Sequence, residues 1–387
     1  MTKVLHIITS LLTGGAEVML QKLVRATVPL GYESSVVSLT AASRIGRELQ
    51  EEGVPVIALG GRGSILLPHQ LFALVKTFHH VQPDLVHCWM YHSNILGHSV
   101  VRLSARRKRP GLVVSVRMAL DAEDDRKISR SMIRKLDARL SGAADAVVFN
   151  SHRAAEQHAS LGYCMHRARV IPNFFETERF KPRPEEAAGF RRSIGCNDDS
   201  TLVGLVARFD KLKDHLTFLR AARTVVTRFP RCRFLLIGRG CDQTNGQLMQ
   251  WIEECGLRER VCALGERGDL PMVQSALDIA VNSSITEGFP NAIGEAMACA
   301  VPCVVTDVGD CKFVVGEAGL VVPPRDPDAL AGAIVKLIDL PPEARARIGE
   351  RGRHRVMTEF SKASVVGKFT KLYEEVRFSG NRGSATG

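Results

Sequence analysis

Short runs of β-branched and aliphatic residues recur along this 387-residue chain with amphipathic helical stretches between them, and few folds accommodate such an alternation. Seven come first, at Val4–Ile8, Ser34–Leu39, Val54–Leu59, Leu85–Cys88, Val113–Val116, Ala146–Asn150 and Arg169–Pro172. Six follow, at Leu202–Ala207, Arg233–Ile237, Arg260–Leu264, Ile279–Asn282, Cys303–Thr306 and Leu320–Val322. Strands that alternate with helices pair in parallel, and a parallel sheet is covered on both faces. The predicted class is α/β with two Rossmann-like, doubly wound domains, since one core rarely grows to this length. The stretch Phe180-Lys181-Pro182-Arg183-Pro184 breaks all periodicity and places the boundary so that the domains span 1–178 and 179–359. Near the C-terminus, Val365, Val366, Phe369, Leu372 and Tyr373 line one side of a predicted helix.

Hydrophobic content of 45% with 24% charged residues and a mean hydropathy near zero fit a soluble protein. No run of about 20 apolar residues occurs, and the apolar start at Val4–Ile8 is too brief for a signal segment. Ten cysteines without a CxxC pair fit a reducing compartment, so a cytoplasmic location is expected. A net charge of +11 implies an anionic partner. The excess gathers at Arg102, Arg106, Arg107, Lys108 and Arg109 and again at Arg126, Lys127, Arg130, Arg134, Lys135 and Arg139, with Ile128, Met132, Ile133 and Leu136 at helical spacing. That pattern suits a basic helix on a membrane surface, or else an ordinary solvated helix face. Nucleic acid is not expected as a partner, because 6% aromatic residues offer few stacking platforms.

The chemistry concentrates in Ser283-Ser284-Ile285-Thr286-Glu287-Gly288-Phe289-Pro290-Asn291, which follows a strand and is predicted to turn into a helix with Pro290 at its first position. Free amides at a helix start, with Gly288 allowing close approach, make Gly288, Phe289, Pro290 and Asn291 a cradle for a diphosphate. Glu295 lies roughly 7–8 Å further along the helix, a reach that suits a ribose, and its carboxylate can accept both ribose hydroxyls. Glu287, just before the helix, stands where the sugar on the far phosphate would lie. No metal is expected, since Cys299 and Cys303 lack His or Cys partners nearby.

With Glu287 and Glu295 forming an E-x7-E pattern, the sequence resembles the retaining glycosyltransferases of family 4, which adopt the two-domain GT-B fold with a cleft between the halves. The resemblance covers nearly the whole chain and implies that Glu287 lies near the donor sugar and Glu295 at the nucleotide ribose. Arg208 and Lys213 match the family's cations after a strand; there they would hold the donor diphosphate and stabilise the leaving group without a metal. Ala207 stands where the family has Gly. Gly14 and Gly15 resemble its glycine-rich first loop, facing donor phosphate or acceptor. The segment Asp84–Asn94 resembles its histidine-containing acceptor side, with Trp89 at a position often held by His. That leaves His87 or His92 to contact sugar or acceptor, with His92 favoured because it lies beyond the strand; either is equally readable as a structural histidine. Arg117 is a further candidate for anion contact, and the resemblance puts Gly265 and Glu266 where the nucleobase would be edged. The resemblance also makes the first domain the acceptor side and the second the nucleotide-sugar donor side, with the C-terminal helix, about 360–378, packing back on the first domain.

The resemblance implies sugar transfer with retained configuration from a nucleotide-sugar, UDP- or GDP-linked, which is substrate rather than cofactor. The leaving phosphate would assist deprotonation of the acceptor. A glycan or polyprenyl-diphosphate-linked acceptor at the inner face of a membrane, in surface-polysaccharide assembly, suits the basic first domain. The alternatives are a GT-B epimerase or phosphorylase, or a non-catalytic nucleotide-sugar or anion-binding protein.

Overall fold

The computed structural model describes residues 1–379 apart from 13, 42, 62–67, 104–108, 121–127 and 197–198. All thirteen apolar runs form strands. The first seven are β1 (Thr2–Ile8), β2 (Tyr32–Thr40), β3 (Val56–Gly61), β4 (Leu85–Trp89), β5 (Gly111–Val116), β6 (Ala146–Phe149) and β7 (Ala168–Val170). They pair in parallel in the order β3-β2-β1-β4-β5-β6-β7. Helices α1 (Gly15–Thr27), α2 (Arg44–Glu51), α3 (Pro68–Val81), α4 (Tyr91–Leu103), α5 (Ile128–Leu140) and α6 (His152–Ala159) connect them. The central strands β4, β5 and β6 are buried along their whole length, which is why they read as unbroken apolar runs rather than alternating ones.

The second sheet holds β8 (Leu202–Val206), β9 (Arg233–Ile237), β10 (Val261–Ala263), β11 (Ile279–Asn282), β12 (Cys303–Thr306) and β13 (Gly319–Val322), in the order β10-β9-β8-β11-β12-β13. Its helices are α7 (Pro184–Ser193), α8 (His215–Arg228), α9 (Gly246–Glu254), α10 (Leu270–Ser275), α11 (Asn291–Ala298), α12 (Cys311–Val315), α13 (Pro327–Ile338) and α14 (Pro342–Glu359). In both sheets the strand order reverses beside the first strand, between β1 and β4 and between β8 and β11. Ligands of open α/β sheets bind at the carboxyl ends of strands flanking such a reversal, so the topology names two places to look.

One compact unit holds Met1–Asn173 and Ala363–Gly387, the other Phe174–Lys362. The chain changes unit ahead of the expected boundary at 178 because Phe174 and Phe175 are already committed to burial. Phe175 stacks on Phe289 at 5.8 Å and meets Phe360 edge-on within the second core. The last helix, α15 (Lys362–Ser379), lies on the first unit, burying Val365, Val366, Phe369, Leu372 and Tyr373. Tyr373 Oη lies 2.7 Å from His87 Nδ1, and Ser115 Oγ lies 2.6 Å from its Nε2. Both ring nitrogens of this fully buried histidine are therefore partnered. Tyr373→Phe should destabilise the first unit by about 1–3 kcal/mol, the cost of orphaning a buried polar atom; an unshifted thermal transition would show that the hydroxyl contributes nothing.

The basic stretch forms α5, but its charges divide between two faces. Arg134 is buried, which removes it from the surface cations counted in the sequence. Beside it Asp137 accepts hydrogen bonds from Asn94 Nδ2 at 2.9 Å and Tyr163 Oη at 2.6 Å, and burial pushes its carboxyl up to about 7. The outer face carries Arg130, Met132, Lys135, Leu136 and Arg139, all exposed. Arg106, Arg107, Lys108, Arg126 and Lys127 lie outside the described residues.

Candidate active site

The carboxyl ends of β8 and β11 bring the two strongest motifs of the sequence together. After β8 the chain runs through Arg208 to a 3-10 turn, Lys211–Lys213, capped by Asp210, whose side chain accepts from the Leu212 amide. After β11 it enters Ser283–Pro290. The Ile285 amide donates to Leu212 O at 2.8 Å and Ser283 Oγ donates to Lys213 O at 2.8 Å, which ties one loop to the other. Lys213 Nζ then reaches Glu287 Oε1 at 2.5 Å, with only 19% and 11% of the two side chains exposed.

Glu287 is held on one side only. Asn282 Nδ2 at 3.0 Å and Ser284 Oγ at 2.8 Å also donate to Oε1, while Oε2 accepts no hydrogen bond among the described residues. Asn282 is fixed in turn, because its Oδ1 accepts from the Ser284 amide at 3.1 Å and from Thr306 Oγ1 at 3.2 Å. One carboxylate oxygen is thus a structural anchor and the other is open to a ligand hydroxyl. Arg208 is half-exposed and donates through Nε to Asp210 Oδ2 at 3.2 Å. Burial works against the charge on Asp210, but the Leu212 amide and Arg208 outweigh it and hold the carboxyl below its ordinary value. With Asp210 holding one cation and Glu287 the other, a diphosphate entering here competes for cations that already have acidic partners.

Helix α11 begins at Asn291, with Pro290 as its N-cap at φ −81° and ψ 81°, one residue later than the sequence predicted. The Asn291 amide turns back to Phe289 O at 3.0 Å. The amides of Ala292 and Ile293 donate to no protein acceptor among the described residues, leaving donors for an anion. Phe289 does not present its ring to that space: it is 6% exposed and sandwiched in the aromatic cluster with Phe175 and Phe360, so only its backbone can serve a ligand. Glu295 is half-buried on the same helix. Gly265 is buried at the carboxyl end of β10, bonded through its amide to Cys241 O and through its carbonyl to the Gly238 amide, and Glu266 beside it is exposed.

A residue that sequence reasoning left without a role, Gly309, supports the whole turn. It has φ +54°, and a β-carbon there would overlap the Glu287 carbonyl group. Its neighbour Asp310 donates its amide to Gly288 O at 3.2 Å.

In the first unit the glycine loop after β1 opens α1. Gly14 caps α1, but the Glu17 carboxylate folds back against it, where a β-carbon would overlap the carboxylate oxygen. Ser10 Oγ donates to Glu17 Oε1 at 3.1 Å. The Glu17 carboxylate therefore lies against Gly14, on the loop expected to face donor phosphate or acceptor; Thr13 lies outside the described residues. His87 is the satisfied core histidine described above. His92, in the first turn of α4, is half-buried, its Nε2 has no partner among the described residues, and burial lowers its proton affinity. Arg117 immediately follows β5 and is buried. Among the described residues no group of three or more His, Cys, Asp or Glu is placed to hold a metal ion.

Residues 13–179 match the model of Glycosyltransferase Family 4, and residues 200–339 match that of Glycosyl transferases group 1. The chain is 26% identical over 208 residues to the Escherichia coli UDP-Gal:alpha-D-GlcNAc-diphosphoundecaprenol alpha-1,3-galactosyltransferase, a match spanning 53% of each chain. It is 27% identical over 325 residues to a D-inositol 3-phosphate glycosyltransferase of Corynebacterium urealyticum, covering 80% of this chain and 74% of the relative. Against the former it spans about half the relative's length. Its fold is that of Anabaena HepE, solved in complex with UDP, at a TM-score of 0.85 and 22% identity over 96% of this chain and all of that one.

Proposed function

We infer, from a chain that belongs to glycosyltransferase family 4, that it moves a sugar from a nucleotide-sugar to an acceptor with retention of configuration and without a metal. The observation that carries this reading is the tethered pair Lys213–Glu287 at the strand-order reversal, beside the open amides of α11. In the reaction the donor diphosphate lies on those amides, and Lys213 and Arg208 take up the charge that develops on it as the sugar departs. Glu287 Oε2 receives a hydroxyl of the donor sugar and Glu295 receives the ribose. The departing phosphate accepts the acceptor's proton. A uridine donor is favoured by the UDP named with two of the similar proteins.

A thermal-shift series of UDP-, GDP- and ADP-sugars without metal tests the donor site, since a ligand that binds only the folded state stabilises it by mass action. The expected result is a shift with the UDP-sugars that is lost in Glu295→Ala. No shift with any of the three, in folded protein, would sink the donor assignment and favour a binding protein of another kind.

The acceptor is proposed to be a glycan or a polyprenyl-diphosphate-linked glycan in surface-polysaccharide assembly, reached from the cytoplasmic side of a membrane. Support comes from α5, where Met132 and Leu136 are 66% and 47% exposed on one strip with Lys135 and Arg139. Leu103, 62% exposed, ends the neighbouring α4. No helix among the described residues is long and apolar enough to cross a membrane, so contact would be peripheral, by apolar insertion and attraction to anionic lipid. Co-sedimentation with phosphatidylglycerol vesicles should weaken by about tenfold or more in the double variant Met132→Asp, Leu136→Asp. Equal binding by wild type and variant would move the contact elsewhere.

A further inference from the structure

Arg117 immediately follows β5, with β4 and β6 as that strand's neighbours in the sheet. Its backbone is fixed on both sides: the amide donates to Met90 Sδ at 3.4 Å and the carbonyl accepts from Asn150 Nδ2 at 3.3 Å. Its guanidinium lies over the Trp89 ring, 5.4 Å from the centroid, and donates through Nη2 to Asn173 Oδ1 at 2.5 Å. The residue is 7% exposed. Nε and Nη1 have no hydrogen-bond partner among the described residues, and no carboxylate there forms an ion pair with it.

Such an arrangement is costly as architecture. Guanidinium groups taken out of water are paired with carboxylates or fully hydrogen-bonded, because an uncompensated buried charge is destabilising. An aromatic face and one neutral amide oxygen orient this one without neutralising it. Burial draws its proton affinity down to about 9, which still leaves it charged at neutral pH. What remains is a fixed cation with donors to spare at the carboxyl edge of the sheet, the edge at which open α/β folds take ligands. Guanidinium forks match the planar or tetrahedral oxygens of carboxylates and phosphates better than any other side chain does.

We propose that Arg117 is the receptor for an oxyanion, phosphate or carboxylate, carried by the acceptor. This rests on the reading that the first unit takes the acceptor and the second the nucleotide-sugar. Asn173 and Trp89 are its positioning residues. Asn173 supplies a neutral oxygen where an aspartate would satisfy the charge internally, so the anion must come from outside.

The test follows the Arg117 Nε–H resonance of the full chain by nitrogen-15 NMR, assigned by its loss in Arg117→Lys. Inorganic phosphate and glucuronate are titrated separately at constant ionic strength, before and after saturation with UDP. The expected result is a saturable displacement by phosphate, by glucuronate or by both, absent with chloride and persisting in UDP; the anion that acts names the acceptor's charged group. Asn173→Asp should bind that anion at least about tenfold more weakly while its thermal transition stays level or rises, because the new carboxylate takes the ligand's place. A resonance indifferent to both anions, or unaltered affinity in Asn173→Asp, would overturn the proposal. Displacement by UDP alone would give the oxyanion to the donor and overturn its assignment to the acceptor. Failure of UDP to bind the second unit is read separately, in the thermal-shift series, and leaves the resonance test intact.

Discussion

Lys213→Met is expected to slow sugar transfer by about 10²–10³-fold, the loss typical when one preorganised donor to a developing oxyanion is removed. Methionine keeps much of the apolar stem that lies across the turn while deleting the ammonium group. The loss should fall on kcat more than on KM, because Nζ is already engaged with Glu287 Oε1 and gains most when charge appears on the leaving diphosphate. Glu287 would stay in place, since Asn282 and Ser284 still donate to the same oxygen. Steady-state release of nucleoside diphosphate measures this directly. A variant with unchanged kcat and a raised KM would show that Lys213 binds the donor without stabilising its departure.

The strands were legible because a parallel strand buried on both faces must be apolar at nearly every position, and no other element of this length has that composition. The loops after β8 and β11 were legible for a related reason: polar and glycine residues gathered at the carboxyl ends of parallel strands lie where open α/β sheets take their ligands. Legibility stopped where a side chain's role depends on a partner far along the chain. Phe289 sits in the middle of the donor motif yet points into a core where it packs against Phe175 and Phe360. His87 and His92 share one segment, and only Tyr373 and Ser115, from the last helix and the next strand, decide that His87 is structural. Gly14 and Gly15 were read as a glycine-rich loop, and the fold-back of the Glu17 carboxylate onto Gly14 is a side-chain choice that local pattern does not encode. Arg134 shows the same limit on α5, where helical spacing alone did not reveal that one cation of the basic run turns inward.

Gly309→Ala carries the sharpest consequence of such a distant partner. At φ +54° an alanine is strained by about 1–2 kcal/mol, and its β-carbon would press on the carbonyl carbon and oxygen of Glu287, which are backbone atoms that cannot rotate away. A further 1–3 kcal/mol of overlap, roughly, gives a total near 2–5 kcal/mol and a fall of about 4–20 °C in the thermal transition of a unit of this size. The turn can relieve the overlap only by moving Glu287, and displacement of a substrate-positioning group by about 1 Å can cost about 10²-fold in rate. Gly316 separates the two effects. It has φ +52° with ψ −131°, a pairing that essentially only glycine adopts, so an alanine there is strained at least as much, and a β-carbon would meet no backbone atom but only the Arg355 side chain, at 3.1 Å. Gly316→Ala should therefore lower the thermal transition by the strain alone and keep the full transfer rate. If both variants transfer sugar at the rate of the parent, Gly309 relieves backbone strain and nothing more; if only Gly309→Ala is slow while still folded at the assay temperature, the 306–310 segment sets the position of Glu287.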